Sequence, residues 1–189
     1  SMIGSSLCII LLLAVFFLYL NTYRRKLLDK LRHIFFFTIL MAIIIAVAAF
    51  TLRYAPTGFI YIVPFTWCPI IARVFYDSRT AIFVHLITIF IVSLAVPAPY
   101  LFILIQFVVG VIAVISLRDM TQRAQLAQTA AFILLTYSIL YTAATFLMAG
   151  NISDIDYRYY IYFAINAVLV ICSYGLIFLF ERCFGLISN

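Results

Sequence analysis

An all-α integral membrane fold, a seven-transmembrane helix bundle with its N-terminus outside and its C-terminus cytoplasmic, is the fold class this sequence predicts. Three observations carry the prediction. The 189 residues are 68% hydrophobic and 10% charged, with a mean hydropathy of +1.24, far from the roughly 25% charged residues of a soluble domain. The apolar residues form continuous runs without alternation, and backbone groups in lipid must be paired within the segment, which favours helices over a barrel. The basic residues collect between the runs, mostly on alternate sides.

A spanning helix needs about 20 mostly apolar residues. The first run, residues 3–20, has neither a basic leader nor a small-residue cleavage site, and reads as a helix and not a signal peptide. Ser1 before it reads as the scar of a cleaved tag, and the natural polypeptide is expected to begin earlier. NTYRRKLLDKLRH then leads to the second run, 34–53, and YAPT to the third, 58–75. YDSR separates this from 80–97, and PAP separates that from 100–117. RDMTQRAQ precedes 126–149, and NISDIDYR precedes 159–180. No fixed repeat and no low-complexity tract interrupts the series.

Orientation follows from the cations. With the N-terminus outside, the inner side holds Arg24, Arg25, Lys26, Lys30, Arg32, Arg73, Arg79, Arg118, Arg123 and Arg182, ten of the twelve Lys and Arg residues. Only Arg53 and Arg158 fall outside, so the positive-inside rule favours this orientation. The tyrosine-rich DYRYYIYF (156–163) then lies at the outer interface, where amphipathic rings belong. The net charge of +6 is accordingly a topology signal, and no nucleic-acid partner is expected. Cys8, Cys68, Cys172 and Cys183 are single and widely spaced, a pattern of packing residues and not of a metal or redox site.

Two seven-helix classes are excluded by residue type. A retinal protein needs a lysine in its last helix, but Lys26 and Lys30 are the only lysines and both lie in one loop. Neither an Asp-Arg-Tyr at a helix end nor an Asn-Pro-x-x-Tyr in the last run is present, against a G-protein-coupled receptor.

IVPFTWCPIIARVFYDSRTAIFVHL (62–86) has an early proline in the third run and an F-x-D-x-R-x-A turn after it. LFERCFGLISN (179–189) carries an F-E-x-x-F-G exit. These stretches resemble the membrane region of the seven-transmembrane receptors with an intracellular HD hydrolase, and the likeness extends over essentially the whole chain. The opening MIGSSLCIILLLAVFFLYL is similar to the helix that follows the family's extracellular sensor domain.

The resemblance implies that residues 1–189 are a single membrane domain excised from a longer protein, with a sensor domain before it and a cytoplasmic HD domain after it. It also implies a multi-pass location in the bacterial cytoplasmic (inner) membrane. In the PgpH-like members the HD domain hydrolyses cyclic di-AMP to a linear dinucleotide with a metal pair. His33 and His85 are isolated, with no His-Asp pair, so no cofactor, metal site or catalytic residue is expected in this chain.

Polar groups inside spans are costly and are functional candidates by default. Arg73, Asp77, Arg79 and Glu181 are placed on the cytoplasmic side, as candidate coupling residues toward an HD domain. Against this, Asp77 serves equally as a helix N-cap while the arginines reach the lipid phosphates. His85 is a candidate proton or ligand sensor, or a core histidine bonded to a neighbouring helix. Gln106, Tyr141, Thr145, Tyr162 and Asn166 all fall in the outer half and are placed to line a lipid or small-molecule pocket. Interhelical hydrogen bonds of about 1 kcal/mol or less explain the same stripe. Pro64 and Pro69 are expected to break the third run, each freeing a carbonyl that a neighbour must satisfy. Ala42, Ala46 and Ala49 give the second run a small-residue face for close packing, or for a partner such as a second copy in a homodimer.

Signal transduction is the leading functional reading: the domain sits in the lipid bilayer, receives an outside or bilayer signal and passes it to the HD domain. A small transporter or substrate-binding membrane subunit is the alternative, favoured by a broken helix with midplane polar groups. A plain anchor is the third.

Overall fold

The computed structural model describes residues 2–117 and 123–186. Arg118, the side chain of Arg123, most of RDMTQRAQ and the last three residues of LFERCFGLISN lie outside the described residues. Among the described residues there are eight α-helices, two 3-10 turns and no strand. They are α1 (Met2–Tyr23), α2 (Arg25–Leu28), α3 (Leu31–Tyr54), α4 (Trp67–Phe75), α5 (Ser78–Ser93), α6 (Pro99–Ser116), α7 (Arg123–Ala149) and α8 (Arg158–Phe184), with the 3-10 turns at Thr57–Tyr61 and Ile152–Asp154.

Five of these, α1, α3, α6, α7 and α8, are long and apolar enough to cross a membrane. They correspond to the first, second, fifth, sixth and seventh predicted runs. The other two runs are shorter as helices, for local reasons. The third run is interrupted: Pro64 has no N–H, and residues 62–66 join the Thr57–Tyr61 turn to α4 without a helical ladder. Pro69 falls in the first turn of α4, where a missing N–H costs nothing. The fourth run stops at Ser93 because Pro97 and Pro99 follow. There Leu94, Ala95 and Val96 tighten onto the carbonyls of Ile91, Val92 and Ser93.

These two shorter elements are the most enclosed. Nearly every residue of α4 is buried, and α5 buries residues on all sides, as a helix at the centre of a bundle must. α4 packs on α3, α5, α6 and α8, while α5 packs on α1, α3, α4 and α6. The outer helices close the ring through the contacts α5–α6, α6–α7 and α7–α8. The third run still travels the length of the bundle in two pieces: Tyr61 meets Tyr159 and Phe163 at the start of α8, and Phe75 meets Phe36 near the end of α8.

α1 buries only Phe16 and Leu20, and leaves Ile10, Leu11, Phe17 and Leu18 exposed. Such a face is stable in a hydrocarbon environment and not in water. In α3 the packing side is Phe36, Phe37, Leu40, Met41, Ile44 and Ala48. The alanine face of Ala42, Ala46 and Ala49 is exposed, so within this chain it packs nothing closely.

Candidate functional site

Two groups of polar and aromatic residues stand out, one at each end of the broken third run. The first surrounds the turn between α4 and α5. Asp77 sits at the N-cap position of α5 with extended backbone (φ −98°, ψ 168°), yet its carboxylate makes no capping bond. It pairs instead with Arg24, at 2.6 Å, just past the end of α1. Burial pushes the Asp77 carboxyl up, but the neighbouring Thr80 hydroxyl and the Arg24 guanidinium hold it below its ordinary 3.8. The Tyr19 hydroxyl of α1 lies 3.3 Å from Thr80 Oγ1, and His33 Nδ1 at the start of α3 lies 2.7 Å from the Tyr76 hydroxyl. Burial raises the Tyr76 phenol above its usual range and keeps it neutral. The turn is thus held by α1 on one side and α3 on the other.

An aromatic cluster joins the same turn to the end of α8. Phe36 of α3, fully buried, lies edge to face with Phe75 (5.4 Å), Phe180 (5.3 Å) and Phe184 (5.8 Å), and tilted against Tyr76 (5.3 Å). Each such pair adds about 0.5–1.5 kcal/mol beyond its area. One ring therefore touches the turn and two aromatic residues, Phe180 and Phe184, of the exit helix. α8 ends at Gly185, whose left-handed φ of 60° caps the helix while its N–H donates to the Glu181 carbonyl at 3.0 Å.

The second group is a buried chain of polar side chains across α5, α6, α7 and α8. His85 Nε2 lies 2.7 Å from the Gln106 carbonyl, and since a carbonyl only accepts, Nε2 carries the proton. The imidazole fits because Gly110 is beside it: a Cβ there would lie 2.2 Å from the ring. Gln106 Oε1 accepts from the Tyr137 hydroxyl at 2.7 Å. Asn166 Nδ2 donates to the Tyr61 carbonyl (2.9 Å), which the broken run leaves free, and to the Val63 carbonyl (3.0 Å), which also accepts from the Phe65 N–H. Trp67 Nε1 in turn donates to the Leu169 carbonyl at 2.8 Å and ties α4 to α8. His85 Nδ1, Gln106 Nε2 and Asn166 Oδ1 are buried without a hydrogen-bond partner.

The structure brings some of the predicted residues together and separates others. Gln106, Asn166 and His85 belong to the one buried chain, linked through Tyr137, whose place in the i, i+4, i+8 stripe with Tyr141 and Thr145 is a sequence signal. Tyr141 lies toward the loop before α8, where its ring stacks on Tyr159 at 4.7 Å and its hydroxyl accepts from the Asp156 N–H at 3.2 Å. Thr145 donates to the Tyr141 carbonyl of its own helix, and Tyr162 packs on Phe59 at 5.1 Å. Among the coupling candidates, Asp77 and Arg79 share a polar cavity of about 560 Å³ with Tyr19, Tyr23, Arg24 and Phe83. Arg73 and Glu181 are half-buried and form no ion pair among the described residues. Arg24 and Phe36, which complete the first group, had no sequence signal beyond lying on the same side.

The sequence profile of a family described as "7TM receptor with intracellular HD hydrolase" matches residues 1–188. Neither the curated proteins nor the solved structures give a match to this chain.

Proposed function

The chain belongs to the family of 7TM receptors with an intracellular HD hydrolase, and from that premise we propose that it is the sensory and anchoring membrane domain of a bacterial cyclic di-AMP phosphodiesterase. In this reading the third and fourth runs are crossings like the other five, the N-terminus is outside and α8 leaves into the cytoplasm. Catalysis belongs to a metal-dependent HD domain that follows. The metal pair belongs, in the same reading, to that following domain.

The observation that supports coupling over plain anchoring is the contact of Phe36 with both the α4–α5 turn and the exit helix. A shift of α1 or α3 that moves the turn also moves the packing surface of Phe180 and Phe184. Coupling requires that the two states differ in such contacts. The alternative of a transporter gains nothing from the break in the third run, because the freed Tyr61 carbonyl is taken by Asn166 and the Val63 carbonyl by Asn166 and the Phe65 N–H.

The test uses the full-length protein in membranes. Its cyclic di-AMP hydrolysis is measured for the wild type and for Phe36→Leu, which keeps an apolar side chain and costs on the order of 1–2 kcal/mol. A change in basal rate or in its response to the outer domain is expected, with residues 1–189 alone inactive. A folded variant with unaltered activity and regulation reduces the domain to an anchor. Absence of cyclic di-AMP turnover in the full-length wild type overturns the substrate assignment.

A further inference from the structure

An elongated apolar cleft runs between α1 and α3. α1 and α3 both pack on α5, and the space left between them has a volume of about 450 Å³, within the roughly 300–1,000 Å³ of small-molecule sites. Its walls include Ile9, Leu13 and Phe17 from α1 and Met41 and Ile45 from α3, with Ile91 of α5 behind them. Thr38 is the one polar side chain in the lining, and its hydroxyl is bonded to the Ile34 carbonyl of its own helix. The Thr38 proton is thus engaged, and the rest of the lining is apolar.

Length and charge narrow the occupant. From Ile9 to Leu20 along α1 the cleft extends for about 17 Å at 1.5 Å per residue, close to one leaflet of a hydrocarbon core about 30 Å thick. It ends at Leu28 and Ile34, beside the connection that carries Arg24, Arg25, Lys26, Lys30 and Arg32 against the single acid Asp29. Arg24 is engaged by Asp77. Arg25, Lys26, Lys30 and Arg32 are exposed and make no ion pair among the described residues. Four cations at the mouth of a leaflet-long apolar slot match a molecule with one anionic end and a long hydrocarbon body.

We propose that the cleft between α1 and α3 binds an acyl chain of an anionic phospholipid, whose phosphate is held by Arg25, Lys26, Lys30 and Arg32. The site lies in the leaflet on the side of the α1–α3 connection, whichever face of the membrane that is. It is separate from the buried polar chain, and it does not depend on the hydrolase assignment. A lipid seated there contacts Phe16 and Phe37, which meet edge to face at 5.6 Å, and so wedges against the two helices that clamp the α4–α5 turn.

The experiment titrates the purified protein with phosphatidylglycerol, with phosphatidylethanolamine of the same acyl chains, and with glycerophosphoglycerol, which has the headgroup alone. Bound lipid is read by native mass spectrometry. Phosphatidylglycerol should be retained at least fivefold over phosphatidylethanolamine, and the tail-free headgroup should not be retained. Ala42→Trp and Thr38→Trp, which each fill the cleft, should lower retention at least tenfold. Replacing the four cations by glutamine should bring phosphatidylglycerol down to the phosphatidylethanolamine level. A phosphatidylglycerol with a photoreactive acyl chain provides a measurement on the unaltered protein, and should label Leu13, Phe17 and Ile45 above the exposed face of α7. Equal retention of the two lipids, or labelling spread evenly over the helices, overturns the proposal. So does a dimer that the two tryptophan variants abolish, since it assigns the cleft to a second copy.

Discussion

Asn166 Nδ2 lies 2.9 Å from the Tyr61 carbonyl and 3.0 Å from that of Val63, so one side chain of α8 takes over the Tyr61 acceptor and adds a second donor to the Val63 carbonyl, which the Phe65 N–H also meets at 2.9 Å. The break is thereby affordable in a buried place. Each buried acceptor left without a donor costs about 1–3 kcal/mol. Asn166→Leu should lower the unfolding temperature of the detergent-solubilised protein by more than Tyr137→Phe, which removes a single bond to Gln106. Equal losses in the two variants would show that the break is held elsewhere.

His85 and Gly110 form a second interlocked pair. Gly110→Ala puts a methyl group 2.2 Å from the imidazole, and overpacking of this kind costs about 1–3 kcal/mol. The double variant with His85→Ala should recover part of the loss that Gly110→Ala alone causes, a non-additivity expected of touching residues. Thermal unfolding of the two single variants and the double variant checks this, and strict additivity contradicts it.

The ion pair of Asp77 with Arg24 gives a pH dependence of known sign. A carboxyl held below its ordinary 3.8 contributes stability that is complete above that value and is lost as pH falls through the lowered one. With 31% of the Asp77 side chain exposed, the contribution stays below about 1 kcal/mol. Unfolding curves of the wild type and Asp77→Asn should therefore differ slightly at neutral pH, begin to converge as pH falls below 3.8 and meet only below the lowered value. Activity is the more sensitive readout: in the full-length protein Asp77→Asn and Arg79→Gln should both change the hydrolase rate while the fold persists. Unchanged rates in both leave the turn as a clamp between α1, α3 and α5 and nothing more.

Topology is checked by labelling single cysteines in intact cells. A cysteine at Asn21 should react only with membrane-permeant thiol reagents, and one at Asn151 with impermeant ones as well. The reverse pattern contradicts the orientation, and with it a cytoplasmic hydrolase domain.

Hydropathy alone made α1, α3, α6, α7 and α8 legible, since a lipid-facing helix must be apolar along its whole length. It marked the third and fourth runs on the same footing, yet α4 and α5 are shorter helices. A central segment is shielded by its neighbours, so it tolerates a break, and Pro64 and Pro69 announce one without saying which residue repairs it. Spacing placed Gln106 and Asn166 in one half of the bundle. Helix rotation then decided that Tyr137 joins them while Tyr162 turns to Phe59 and Thr145 bonds its own helix. An acid before a helix reads as a cap by position. Its pairing with Arg24 depends on where α1 ends relative to α5, which no local pattern encodes.

Gly185 sets a mechanical limit on what α8 can hand to the chain beyond it. An unbroken helix acts as a shaft, and a rotation at one end arrives at the other. With the backbone turned left-handed at Gly185, the helical ladder stops there, and no continuous shaft carries a rotation of α8 past that residue. Displacement needs no shaft. A piston stroke along the axis of α8, or a sideways swing of Phe184 as its aromatic neighbours rearrange, still moves the attachment point. A signal passed on through this exit would therefore travel by position and not by twist.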